Sequence, residues 1–212
     1  MIENYIDSLI PSISDDEDEI TVIPSIPTAS VLDPFGPVYT LVVASKPSSC
    51  AFAHLYPAEV RSITTNGRPI GYAFTVNNDG FIVVENDMKV NLGIIFESFK
   101  RVIVLTSRQG PHDGLMFMSS TPRPVAEGTT SLKTAVTGIA ARIFTECSSQ
   151  GIECSVVVNE HRPIRVELDG IVGLAQVLGK IIGIPVDPRA LAEISTNFRK
   201  VVPINSRVPL YT

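Results

Sequence analysis

No lysine or arginine occurs in the first 45 residues of this 212-residue chain. The opening stretch MIENYIDSLIPSISDDEDE also lacks a long apolar core, so nothing in it reads as a secretory signal peptide. No apolar run approaches the roughly 20 residues that cross a bilayer. Asn-x-Ser/Thr acceptors are missing throughout. The three cysteines, Cys50, Cys147 and Cys154, are odd in number and form no CxxC pair. Reduced thiols in the cytoplasm or nucleus are therefore expected, rather than a disulfide framework. There is no GxxxxGK(S/T), GxGxxG, GxSxG or HExxH, so phosphate-loop, dinucleotide, serine-hydrolase and zincin chemistry have no motif to stand on. His54, His112 and His161 are far apart, and none is near a cysteine or carboxylate at metal-ligand spacing. No catalytic residues, cofactor or metal are expected, and no internal repeat is visible.

What is present is asymmetric. Residues 1–45 hold eight acidic side chains, Glu3, Asp7, Asp15, Asp16, Glu17, Asp18, Glu19 and Asp33. The rest of the chain holds 14 acidic and 17 basic groups, a slight positive excess. That excess is too small and scattered for a nucleic-acid footprint. Apolar residues make up 44% and charged residues 18%, enough for one well-buried core. Residues 1–37 carry the DDEDE run and five of 16 prolines, and read as an acidic tail or linker. Residues 38–200 read as one domain, and 201–212 as a flexible tail.

Within the domain, VYTLVVA (38–44) is a continuous β-branched run, as in a strand covered on both faces. VRSITT (60–65), IGYAFTV (70–76) and GFIVVE (80–85) follow as strands, separated by the turn sequences NGRP and NNDG. SSCAFAHLY (48–56) fits a strand or a short helix. The spacing of Met88, Leu92, Ile95, Phe96 and Phe99 predicts a helix over 87–100. RVIVLTS (101–107), GLMFMS (114–119) and ECSVVVN (153–159) are strand patterns. Leu132, Ala135, Val136, Ile139, Ala140, Ile143, Phe144 and Cys147 predict a helix over 130–149, closed by Gly151. A helix apolar nearly all round is predicted at 170–182, after Asp169, and another from Asp187-Pro188 to about Lys200. Strands alternating with long helices predict an α/β, three-layer-like sandwich, its mixed and largely parallel sheet flanked by helices.

Few residues invite a chemical role. His112-Asp113 and Ser107-Arg108-Gln109 follow a strand, where ligands of parallel sheets sit. A polar turn and a solvated loop are the simpler readings. Arg162 in Glu160-His161-Arg162 suits a phosphate or carboxylate, against the plainer reading of a charged connection. Cys147, Cys154 and the methionines read as core. The acidic run 15–19 reads as a solvated tail, with contact to a basic partner as the sharper alternative.

The chain's last residues are Leu210-Tyr211-Thr212, preceded by Pro203 and Pro209. A hydrophobic residue, a tyrosine and any last residue is the pattern with which proteasome activators and assembly factors dock into pockets of the proteasome α-ring. KRVIVLTSRQ (100–109), the small-residue helix predicted at 130–149 and LDGIVGLAQVLGKIIGIPVDPRALAEI (168–194) carry a wider likeness over about three quarters of the chain. Together with the ending, they resemble the proteasome assembly chaperone family. The resemblance implies a fold similar to nucleoside phosphorylases without their active site. It also implies a non-catalytic chaperone of the proteasome core particle, paired as a heterodimer with a second assembly chaperone on the α-ring. Leu210, Tyr211 and Thr212 would be its docking residues, and no nucleic acid or membrane partner is implied. A nucleoside-phosphorylase-like enzyme, and a regulator of mature proteasomes using the same tail, are the alternatives.

Overall fold

A computed structural model describes residues 28–30, 39–65, 68–85, 91–93, 99–111, 113–121, 130–132, 135–162 and 168–202. Its strands are β1 (Thr28–Ser30), β2 (Thr40–Ser45), β3 (Val60–Thr65), β4 (Arg68–Val76), β5 (Asp79–Val84), β6 (Asn91–Gly93), β7 (Arg101–Gln109), β8 (Gly114–Ser119), β9 (Thr130–Ser131) and β10 (Glu153–His161). Its helices are α1 (Gly138–Gln150), α2 (Leu168–Ile182) and α3 (Pro188–Val201), with a 3-10 helix at Ser48–Phe52.

The main sheet runs β3-β4-β5-β2-β7-β10-β8-β9. Pairings β5/β2, β2/β7, β7/β10 and β8/β9 are parallel, while β3/β4, β4/β5 and β10/β8 are antiparallel. This is the expected mixed, largely parallel sheet. The meander β3–β5 comes from the turn sequences, and Asn77 and Asn78 adopt φ of 50° and 67° between β4 and β5. Asparagine tolerates this left-handed region better than other side-chain-bearing residues, and the primed turns of hairpins require it.

The central strands explain the layering. Side chains alternate across a sheet. Leu41, Val43, Ile82, Val84, Val102, Val104, Val156 and Val158 share one buried cluster with Ile139, Ala140, Ile143 and Cys147 of α1. Val42, Ala44, Phe81, Val83, Ile103, Leu105 and Val157 face the other way. They pack with Phe52 of the 3-10 helix, Ile171, Leu174, Ala175 and Leu178 of α2, and Ile194 and Phe198 of α3. The continuous β-branched runs are thus covered on both faces, giving three layers. Each large apolar side chain so buried contributes ~1.5–3 kcal/mol.

Two expectations fail locally. The helix predicted over 130–149 begins only at Gly138, and Thr130–Ser131 form β9 instead. Gly138 has φ +65°, and Thr137 before it is extended (φ −130°, ψ 176°), so the helix cannot propagate backwards. Leu132 and Val136 still pack on the α1-side core. Gly151 closes α1 in the left-handed conformation, as expected (φ 70°).

Within the helix predicted over 87–100, Asn91–Gly93 form β6, parallel to β1. Asn and Gly are poor helix formers, and pairing with a distant strand overrides a short periodic pattern. Of the rest of that prediction, residues 87–90 and 94–98 lie outside the described residues, and Phe99 and Lys100 are not helical. Among the described residues no helix is long and apolar enough to cross a membrane.

Candidate functional site

The residues expected to dock a partner, Leu210, Tyr211 and Thr212, lie outside the described residues, as do His112 and the 15–19 acidic run. The structure does place α3, which ends at Val201, nine positions before Leu210 in the sequence. Asp187 caps α3, its Oδ1 accepting from the Ala190 amide at 2.8 Å.

The other candidates gather at the carboxyl ends of β7 and β10. These strands run parallel in strict register, Arg108 beside Glu160 and Ser107 beside Asn159. Alternation sends the two pairs to opposite faces. On the α1 side, the Glu160 side chain is 1% exposed and the Arg108 side chain 27%. Arg108 Nε and Nη2 both donate to Glu160 Oε2, at 2.9 and 2.5 Å. Arg108 Nη1 donates to the Ala135 carbonyl at 3.0 Å, tying the segment before α1 to the sheet. A Cβ on Gly110 would overlap the Glu160 carboxyl, so this close pairing depends on a glycine there. Arg108 is therefore engaged by an internal carboxylate while remaining partly exposed.

Arg162 is likewise engaged. Its Nε lies 3.1 Å from Asp113 Oδ2, and its backbone amide donates to Asp113 Oδ1 at 3.1 Å. The loops after β7 and β10 are thereby clipped together. His161 is buried, with Nδ1 3.1 Å from the Arg162 carbonyl. The plainer sequence reading of Arg162, as part of a charged connection, describes its contacts. That of Ser107-Arg108-Gln109, a solvated loop, does not hold, because β7 runs on through Gln109 and the Arg108 guanidinium pairs with buried Glu160.

On the opposite face lies a row of which the sequence singled out only Ser107, and not Ser48 or Asn159. Ser48, wholly buried at the start of the 3-10 helix, pairs its Oγ with Ser107 Oγ at 2.8 Å. Ser107 neighbours Asn159 across the parallel pair, and Asn159 is 3% exposed. The Asn159 amide packs on the Cα of Gly170, in the first turn of α2, where any Cβ would overlap it. The signal was present, since RVIVLTS and ECSVVVN align residue for residue and each closes on a polar side chain. Only the pairing of the two strands makes those ends neighbours.

The cysteines and His54 are core. All three cysteines are free and buried. Burial pushes the Cys50 thiol up to about 11, and its Sγ lies 3.6 Å from Asn197 Oδ1. Cys147 and Cys154 face each other in the α1-side core, and the hydrogen bond with Cys147, together with burial, pushes the Cys154 thiol well up. Burial lowers His54 below the ordinary histidine value. Among the described residues no three His, Cys, Asp or Glu side chains gather as metal ligands would.

No family model matches the chain, and no curated protein matches it in sequence. Its fold does match solved structures. Pyrococcus furiosus PbaA, an archaeal homolog of proteasome-assembly chaperone, aligns over 80% of this chain and 92% of its own, with TM-score 0.53 and 15% identity. Pyrococcus furiosus PbaB, an archaeal proteasome activator, aligns over 79% and 93%, with TM-score 0.56 and 12% identity. A protein of unknown function from Thermoplasma acidophilum aligns over 77% and 86%, with TM-score 0.57 and 9% identity. At these identities the shared property is the fold.

Proposed function

We propose that this chain is a member of the proteasome assembly chaperone family, acting without catalysis on the α-ring of the proteasome core particle. The observation that carries this reading is the match, over about four fifths of the chain, to the fold of an archaeal homolog of proteasome-assembly chaperone. The sequence resemblance, drawn from the β7, α2 and α3 segments and from the Leu210-Tyr211-Thr212 ending, points the same way. In this reading the chain pairs with a second assembly chaperone and works in the cytoplasm or nucleus.

The docking chemistry is understandable from its parts. In this reading a chain-terminal carboxylate at Thr212 pairs with a pocket lysine. Tyr211 supplies apolar area and a hydroxyl, and Leu210 fills an apolar notch. Pro203 and Pro209 restrict the unbound segment and lower the entropy lost on docking.

Deleting residues 210–212, or changing Tyr211→Ala, is expected to weaken binding to isolated α-rings at least ~10-fold, as loss of an aromatic anchor does. The unfolding midpoint should not move. Truncated chain that binds as tightly as full-length chain sinks the docking claim. A second reading, a regulator of finished particles, is favoured by the equal likeness to an archaeal proteasome activator. Affinity purification separates the two. An assembly chaperone accompanies α-subunits and immature particles, and a regulator accompanies mature ones.

A further inference from the structure

The geometry points to a small-oxyanion site at the N-terminus of α2, independent of the proteasome reading. Three features converge there. The first is Asn159, 3% exposed, whose Nδ2 has no hydrogen-bond partner. A buried amide donor left unpaired costs ~1–3 kcal/mol, so such a group persists where a ligand or other acceptor meets it. The second is its placement. The amide lies against Gly170, the third residue of the 15-residue α2. First-turn amides of a helix have no intrahelical acceptor, and the helix dipole adds partial positive charge at that end. The third is Ser107, on the neighbouring parallel strand and the same face, whose hydroxyl already pairs with buried Ser48.

The row Ser48–Ser107–Asn159 thus leads along the carboxyl ends of β7 and β10 to the start of α2. Crevices beyond strand carboxyl ends are where open parallel sheets hold ligands. Every member named is a donor or can become one, and all are neutral. Asp169, the one acidic residue in the first turn, is exposed to water. Arg108 and Glu160 occupy the opposite face and neutralise each other. Neutral donors with a helix dipole suit a phosphate or carboxylate group held by hydrogen bonds. Gly170 fits this role, because only a residue without Cβ brings the helix backbone so close to the Asn159 amide.

The test is an NMR titration of the isotopically labelled full-length chain with inorganic phosphate, at ionic strength fixed with sodium chloride. Fixing it separates binding from the general effect of excluded salts. The Asn159 side-chain NH2 and the Gly170 and Ile171 amides should move together and saturate. Asn159→Leu should weaken the apparent affinity at least ~10-fold, the loss expected for a hydrogen bond to a charged acceptor. Ser107→Ala provides a second variant, with a smaller loss, should Asn159→Leu fail to fold. A parallel titration with acetate assigns the site to carboxylates if acetate reproduces the shifts, and to phosphoryl groups if only phosphate does. The inference is overturned if neither anion moves these resonances saturably, or if whichever variants fold bind as the unchanged chain does.

Discussion

Glu160 is a carboxylate inside an apolar sheet, and its partner decides what the pair is worth. The Arg108 side chain retains 27% exposure against 1% for Glu160, so the two do not suffer equally when separated. Removing the guanidinium takes away a charge partner of a carboxylate held inside the protein, which costs ~3–5 kcal/mol. Removing the carboxylate charge leaves an arginine that can still reach water. Arg108→Ala should therefore destabilise the chain by more than Glu160→Gln in urea unfolding, although it truncates the more exposed member. Equal losses would mean that Arg108 contributes only packing. The pair also shows what sequence reading misses at this scale. Ser107-Arg108-Gln109 was visible as a loop and Glu160-His161-Arg162 as a charged connection, each following a strand. That Arg108 answers Glu160, and Arg162 answers Asp113, depends on a parallel register spanning about fifty residues of chain, which no local pattern encodes.

Elements with their own punctuation were readable, and elements defined by a remote partner were not. Asp187-Pro188 announces α3, and the structure supplies the expected cap bond to the Ala190 amide. Asp187→Ala should cost ~0.5–2 kcal/mol. Thermal unfolding checks this, and Asp187→Ser, which restores an accepting oxygen, should recover most of the loss. Gly151 and the apolar girth of α2 were legible for the same reason, since cap and amphipathic face are local properties. By contrast, β6 has three residues and β9 two, and they exist through β1 and β8 respectively. Their own side chains carry too little period to compete with the helical spacing around them. The late start of α1 belongs to the same class. Its apolar repeat extends through Leu132 and Val136 because those side chains pack on the same core from a non-helical backbone.

Over the whole molecule the charge is unevenly stored. Seven of the 22 acidic residues precede β1, and none of the 17 basic ones does. Removing residues 1–27 would change the formal net charge from −5 to +2. If this segment meets a basic surface of the ring or partner, the truncated chain should bind more weakly at low salt. The difference should fade above physiological ionic strength, where the screening length is ~8 Å. An unchanged salt profile on removal would return the acidic run to a solvating role.

The sheet order also has a consequence in time. β7 and β8 are consecutive in the chain yet do not pair, because β10 lies between them. As the chain leaves the ribosome, β7 and β8 are therefore made with a gap that stays open until His161 appears. At ~5–20 residues per second, the roughly fifty residues after Gln109 take about 3–10 s to synthesise. During that interval the nascent chain exposes two apolar strand edges that suit each other, or a neighbour's, better than solvent. Mispairing of β7 with β8 is thus the error this topology invites. The insertion of one late strand is the step that commits both faces of the protein at once.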